Sequence, residues 1–250
     1  MNILYCAYGK AGSLIFDKLI LNINNNDSIF CVTYDTSENI NLLEQLRYHK
    51  TRYSLLPITE KGLVDEINDF SPDIIISIYY RHLISESILN LADMGGINLH
   101  PSLLPKYRGT FSCPWAIING EKVTGITYHY MNEKFDDGNI IFQKSVNISK
   151  NDTAYTLYNK LINIAADNFD KVYDLVLNKR YEGSPQKGQS TYFPRQVPYG
   201  GFIDENWSLD KIERFIRAMN WPNRPYAKLA YNDREIEIKN MEQYLSIIKQ

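Results

Sequence analysis

Apolar residues along the first hundred positions fall in short unbroken runs rather than in alternation. Asn2–Ala7, Ser28–Tyr34 and Asp73–Ile78 are rich in isoleucine and aromatic side chains, and the last contains the run Ile74-Ile75-Ile76-Ser77-Ile78. Strands of this composition are buried on both faces, as in a parallel sheet. Helix-length segments separate them: Ala11–Ile23, and an amphipathic Thr59–Phe70 stopped by Ser71-Pro72. A helix over Ser85–Leu91 leads to a further strand, Gly95–His100. A helix over Phe111–Asn119 and two strands, Thr124–Met131 and Asn139–Ile148, come next. Apolar strands alternating with helices predict a sheet covered on both faces.

Asp152 or Thr153 caps a long helix whose apolar positions, from Leu157 through Leu161, Ile164, Ala165, Phe169 and Val172 to Val176, form one buried stripe. From Tyr181 the pattern dissolves, punctuated by Gly-Ser-Pro, Lys-Gly-Gln and Pro-Tyr-Gly-Gly. One helix, Ser208–Met219, and a hairpin of Tyr226–Tyr231 and Glu235–Ile238 about Asn232-Asp233 follow. The expected architecture is α/β: a Rossmann-like, mostly parallel sheet over residues 1–180, with a short helix and β-hairpin extension over 181–250. Two strands alone are marginal in water, so the hairpin's apolar side chains (Trp221, Tyr226, Leu229, Tyr231, Ile236, Ile238) predict a homodimer that covers them.

Composition narrows what such a fold can do. Of 250 residues 44% are hydrophobic, enough for one sizeable core and a smaller appendage. The net charge is −2 and the basic residues are scattered among acids, without the stripe of a nucleic-acid binder. Cys6, Cys31 and Cys113 are isolated, which gives neither a disulfide framework nor a zinc knuckle. His49, His82, His100 and His129 form no HxH or HExxH pair, and no metal is expected. No apolar run approaches the roughly 18 residues of a membrane span, and no secretory leader is apparent. A cytoplasmic location without membrane partners is the expectation. After the first strand comes Tyr8-Gly9-Lys10-Ala11-Gly12-Ser13, which is not the dinucleotide fingerprint GxGxxG.

Candidate chemistry is concentrated in two stretches. In GGINLHPSLLPKYRG, Gly95–Gly109, Asn98 and His100 fall two apart, so a strand points both side chains to one face. Pro101 and Pro105 end sheet pairing and stiffen a loop that carries Ser102, Tyr107 and Arg108. In TGITYHYMNEKFDDGNIIFQ, Thr124–Gln143, two β-rich runs flank a loop holding Asp136, Asp137 and Gly138. Taken singly, these are an ordinary strand end and an ordinary Asp-Gly turn.

Together they are more specific. INLHPSLLPKYRG followed by FDDGNII resembles the N10-formyltetrahydrofolate-dependent formyltransferases, whose members act on glycinamide ribonucleotide, methionyl-tRNA and nucleotide-linked amino sugars. The resemblance implies a catalytic trio of Asn98, His100 and Asp136, the acid lying 36 residues after the histidine. The stretch IYYRHLI, Ile78–Ile84, resembles the domain that formylates UDP-4-amino-arabinose. It implies folate contacts at His82, Leu83 and Ile84, with the loop Asn132, Glu133, Lys134, Phe135 and Asp136 lining the pterin. That domain carries arginine after the glycine of KYRG where this chain has Thr110, a departure from a UDP-arabinose enzyme.

The segment from Ile203 to Ala227 resembles the start of the family's C-terminal domain, but the tail after it is short, as in nucleotide-sugar N-formyltransferases of O-antigen synthesis. The implied acceptor is dTDP-4-amino-4,6-dideoxyglucose, with Ser102, Tyr107, Arg108 and Trp221 as its contacts. Three alternatives remain beside this reading. A glycinamide ribonucleotide enzyme normally lacks the extension, a methionyl-tRNA enzyme has a longer tail and a basic surface, and a non-catalytic folate or nucleotide binder has no need of the intact trio.

Overall fold

The computed structural model describes residues 1–177, 181–232 and 234–249. The chain begins with β1 (Asn2–Ala7), α1 (Gly9–Asn22), β2 (Ser28–Val32), α2 (Ile40–Tyr48) and β3 (Arg52–Ser54). It continues with α3 (Lys61–Phe70), β4 (Ile74–Ile78), α4 (Glu86–Leu89) and β5 (Gly96–His100). Then come β6 (Arg108–Gly109), α5 (Ser112–Ile118), β7 (Val123–Tyr130), β8 (Ile140–Asn147), α6 (Ala154–Asp167) and α7 (Phe169–Leu177). The remainder holds β9 (Tyr192–Phe193), α8 (Leu209–Ala218), β10 (Ala227–Tyr231), β11 (Arg234–Ile238) and α9 (Met241–Ile248).

Two compact units divide the chain, and their segments interleave. One comprises Met1–His100, Ile126–Lys144 and Ile162–Gly188; the other comprises Pro101–Gly125, Ser145–Leu161 and Gln189–Gln250. The boundary expected after residue 180 adjoins residues 178–180, which lie outside the described ones.

The first unit is built on a sheet in the order β3-β2-β1-β4-β5-β7-β8. Pairing is parallel from β3 through β5 and antiparallel between β5 and β7. One face carries Leu4, Phe30 and Ile75 against Leu63 and Ile67 of α3 and Ile88 of α4. On the other face Tyr5 meets Phe16 of α1, and α2 and α7 pack against α1. Cover on both faces explains why these strands read as continuous apolar runs. Helix α3 stops where Ser71 turns left-handed, at φ 48°, ahead of Pro72.

Two differences from the expectations follow. The long helix is two: at Asn168 the side-chain amide donates to the Ile164 carbonyl at 2.8 Å, competing with the backbone ladder where α6 gives way to α7. Of the two caps expected for it, Thr153 serves α6, its hydroxyl accepting from Thr156 N–H at 3.2 Å. The elements α2, β3 and α9 were not anticipated; β3 is three residues long and α2 buries only Leu42, Leu43 and Leu46.

In the second unit α5 packs on α8, whose N-cap Ser208 accepts from Lys211 N–H. An aromatic ladder runs Tyr107–Phe193–Trp115–Tyr199–Trp207–Phe215, with successive centroids 4.5 to 5.6 Å apart. The expected hairpin forms, β10 pairing antiparallel with β11; its turn residue Asp233 lies outside the described residues. Ala227, Leu229 and Ile238 are already buried within this unit, as is Tyr244 of α9. Of the six apolar side chains named for the hairpin, Leu229 and Ile238 are thus covered within the single chain. Trp221, Tyr226, Tyr231 and Ile236 stay half-exposed.

Candidate active site

Strand register assembles a polar row on an otherwise apolar sheet. Ser77 of β4 pairs with Asn98 of β5, and Asn98 pairs with His129 of β7, so the three side chains share one face. His100 lies two residues along β5 on that face, opposite Thr127. His100 and His129 are 4% and 2% exposed, so their polar atoms depend on protein partners or on a bound ligand.

Asp136 closes the group from the loop after β7. Its Oδ2 stands 3.4 Å from His100 Nδ1 and its Oδ1 stands 3.4 Å from His129 Nε2. Asn98 Nδ2 is 3.1 Å from His129 Nε2 and 3.4 Å from Asp136 Oδ1, while Asn98 Oδ1 accepts from the Ser77 hydroxyl at 2.9 Å. The residues named from the sequence, Asn98, His100 and Asp136, thus converge. Ser77 and His129 join them, outside the trio that the resemblance implied. The lone hydroxyl within an isoleucine run was the one local signal for Ser77.

The loop's shape depends on its backbone. Asp136 itself is left-handed, at φ 52°, rather than extended as adjacent carboxylates on opposite sides would require. Aspartate tolerates that region better than most side chains. Gln186 donates to the carbonyls of both Asp136 and Gly138, at 2.8 and 2.9 Å, pinning the turn. A Cβ on Gly138 would lie 1.8 Å from the Tyr130 carbonyl, so only glycine lets the loop fold back this closely. Asp137 points elsewhere, into a cavity of about 480 Å³ also lined by Asp93, Tyr130, Asn139 and Glu182. Asp136 is not among the residues that line that cavity.

Beyond β4 the loop carrying His82, Leu83 and Ile84 leaves the sheet beside the end of β5, since Ile78 pairs with Leu99. His82 and Leu83 are exposed and Ile84 is buried. Tyr34 stacks on Tyr80 at 5.2 Å and on His82 at 5.6 Å. The Arg81 N–H donates to the Tyr34 hydroxyl, which lies 2.9 Å from His82 Nδ1. Burial pushes the Tyr34 phenol up, keeping it neutral. Asn132, Glu133, Lys134 and Phe135 are exposed along the other loop. Planar stacked rings and exposed loop backbone suit a flat heterocycle such as a pterin, so the residues present fit the implied folate. Among the described residues no group of three or more His, Cys, Asp or Glu could hold a metal ion.

The expected acceptor contacts fall in the second unit. Ser102 is fully buried and its hydroxyl donates to the Lys106 carbonyl at 2.6 Å. Tyr107 is buried, with its hydroxyl donating to Glu121 at 2.9 Å and accepting from Asn119 at 3.2 Å. Burial, helped by Glu121, pushes its phenol up to about 12. Both side chains are turned into their own unit and hold the loop rather than face solvent. Arg108 is half-buried on β6, which pairs with β9. There Gly109, at φ 88°, passes so close that a Cβ would meet the Phe193 carbonyl at 2.2 Å. Trp221 sits in a separate cluster, its ring centroid 5.4 Å from Tyr155 and 5.0 Å from Tyr158, with Arg224 above it.

Comparison with known proteins bears on this arrangement. The family model described as formyl transferase matches residues 18–172. The GDP-perosamine N-formyltransferase of Brucella melitensis is 36% identical over 99% of this chain and 95% of its own length. The bifunctional polymyxin resistance protein ArnA of Wigglesworthia glossinidia brevipalpis is 43% identical over 64% of this chain and 25% of its own. Among solved structures, the N-formyltransferase from Helicobacter canadensis, in complex with folinic acid and dTDP-3-aminofucose, superimposes with a TM-score of 0.78. It is 22% identical, covering 94% of this chain and 85% of that one, a likeness of fold.

Proposed function

Since the chain belongs to the formyl transferase family, as an N-formyltransferase of its nucleotide-amino-sugar branch, we propose that Asn98, His100 and Asp136 carry out the transfer. The observation behind this is one carboxylate, Asp136, standing 3.4 Å from both the Asn98 amide and the His100 imidazole, which share a face of β5. When bound, N10-formyltetrahydrofolate supplies the formyl group; the loops His82–Ile84 and Asn132–Asp136 are assigned to its ring. Asn98 donates an amide N–H to the formyl oxygen as negative charge builds there during attack by the sugar amine. One such donor is worth about 3 kcal/mol of barrier. His100 Nε2 is assigned to the same oxygen and to proton transfer. Asp136 orients the ring through Nδ1 and stabilises its charged form, a contribution of roughly 10²–10⁴-fold. Arg108 is assigned to the acceptor's diphosphate, where a guanidinium forms paired hydrogen bonds, and Trp221 to the acceptor as well.

Two acceptors compete. The motif resemblance favours dTDP-4-amino-4,6-dideoxyglucose, whereas similarity along 99% of the chain to a GDP-perosamine N-formyltransferase favours GDP-perosamine. Either product is assigned to O-antigen synthesis in the cytoplasm, and no helix among the described residues is long and apolar enough to cross a membrane. We assign a homodimer to the half-exposed Trp221, Tyr226, Tyr231 and Ile236. Mass spectrometry of a panel of amino-sugar nucleotides, with and without N10-formyltetrahydrofolate, tests the reading. One formyl group should appear on a single nucleotide sugar and only with the donor; modification of glycinamide ribonucleotide or methionyl-tRNA alone would overturn it.

A further inference from the structure

The role given to Asn98 requires its N–H, and not its C=O, to face the reacting carbonyl. A carboxamide turned by half a revolution occupies the same space, so position on β5 does not choose between the two. Its neighbours do. His129 Nδ1 lies 2.8 Å from the Tyr130 carbonyl, which can only accept, so Nδ1 carries a proton. In the neutral ring Nε2 is then a bare acceptor, 3.1 Å from Asn98. An amide oxygen there would set lone pair against lone pair. The NH₂ must face His129, and the oxygen turns to the Ser77 hydroxyl, which donates at 2.9 Å. One amide hydrogen serves His129. The second reaches Asp136 Oδ1 only at 3.4 Å, long for a hydrogen bond, and can pass to an incoming carbonyl oxygen.

We propose that neutral His129 and Ser77 are positioning residues that lock the Asn98 amide in its formyl-binding orientation, and that protonation of His129 releases the lock. This rests on the role assigned to Asn98. Once Nε2 carries a proton it opposes the Asn98 NH₂ and turns toward Asp136 Oδ1, 3.4 Å away. Among the described residues, Asp136 from the loop after β7 faces His129, and His100 from β5 meets the other oxygen of the same carboxylate. One carboxylate cannot stabilise two imidazolium rings equally. A charged His129 therefore both misorients Asn98 and draws Asp136 from His100, and a neutral His129 leaves each to its task.

The test combines kinetics with ¹⁵N spectroscopy of the imidazoles. His129→Gln keeps an acceptor that cannot be protonated, and should retain most of kcat at pH 8 while the acid limb of the kcat profile moves to lower pH. His129→Phe keeps the ring and loses the acceptor; kcat should fall about 10- to 100-fold, as for a misplaced catalytic group, with little change in KM for the formyl donor. Ser77→Ala should lower kcat, and Ser77→Thr should restore it. In the wild type, His129 should show the tautomer protonated at Nδ1. Equal activity of the Gln and Phe variants with an unmoved acid limb, or a spectrum showing the Nε2–H tautomer, overturns the proposal. The spectrum needs no turnover. A protein that formylates nothing but shows the Nδ1–H tautomer defeats the proposed function and not the lock.

Discussion

Removing one charge at Asp136 should separate the working carboxylate from its neighbour. Asp136→Asn keeps the size of the side chain, and asparagine accepts the left-handed backbone at φ 52° as readily as aspartate does, so the loop should survive. What goes is a charge 3.4 Å from His100 Nδ1. Coulomb's law at an effective dielectric near 20 gives about 5 kcal/mol for a unit pair at that distance. Desolvation and the remaining hydrogen bond reduce the net loss. At about 1.4 kcal/mol per decade the ceiling is between 10³- and 10⁴-fold in rate, matching the roughly 10²–10⁴ expected of acid–base catalysis. Asp137→Asn alters a side chain lining a different cavity and should stay within a few-fold of wild type. Saturating steady-state kinetics on both variants, with folate affinity measured by fluorescence titration, provides the readout. Binding should be largely retained in each. The reasoning is refuted if Asp137→Asn is the more damaged enzyme, or if Asp136→Asn turns over within a few-fold of wild type.

Gly138→Ala should cut kcat about 10²-fold or more, because its Cβ would strike the Tyr130 carbonyl at 1.8 Å and shift the loop that carries Asp136; circular dichroism should show the fold kept, and near-normal kcat would mean the loop has slack. Asp152 is buried, which raises its carboxyl, but bonds from Lys160, Ser149 and Thr156 prevail and hold it below the usual range. Its contribution is therefore present above the unfolded value, about 3.9, and is lost as pH falls through the lower folded value. Asp152→Asn should cost about 1–3 kcal/mol in urea unfolding at pH 7, a gap that narrows below pH 4; an unchanged gap at pH 3 would count against the assignment. Light scattering at micromolar concentration should give a dimer, and Tyr231→Glu with Ile236→Glu should give a monomer; a wild-type monomer ends the homodimer reading.

The parts legible in the sequence were those whose physics is local. Strands buried on both faces announce themselves, and β1, β2 and β4 lie where the apolar runs put them. A Ser-Pro pair marks the end of α3, and a serine cap marks the start of α8. Three-residue β3 is too short to show any period, and the break at Asn168 turns on one side-chain hydrogen bond that a periodic stripe cannot reveal. At the site, Asn98 and His100 were legible because two residues on one strand share a face whatever the strand's neighbours are. Ser77 and His129 depend instead on which strands lie beside β5 and in which register. A slip of one residue in either pairing would turn the partner's side chain to the far face. Their place in the row is thus a property of topology, fixed by the parallel β4–β5 pairing and the antiparallel return of β7. The same holds for Asp136, whose motif gave its identity while its reach to two histidines depends on a left-handed residue, a glycine pressed on a carbonyl and Gln186 from fifty positions downstream.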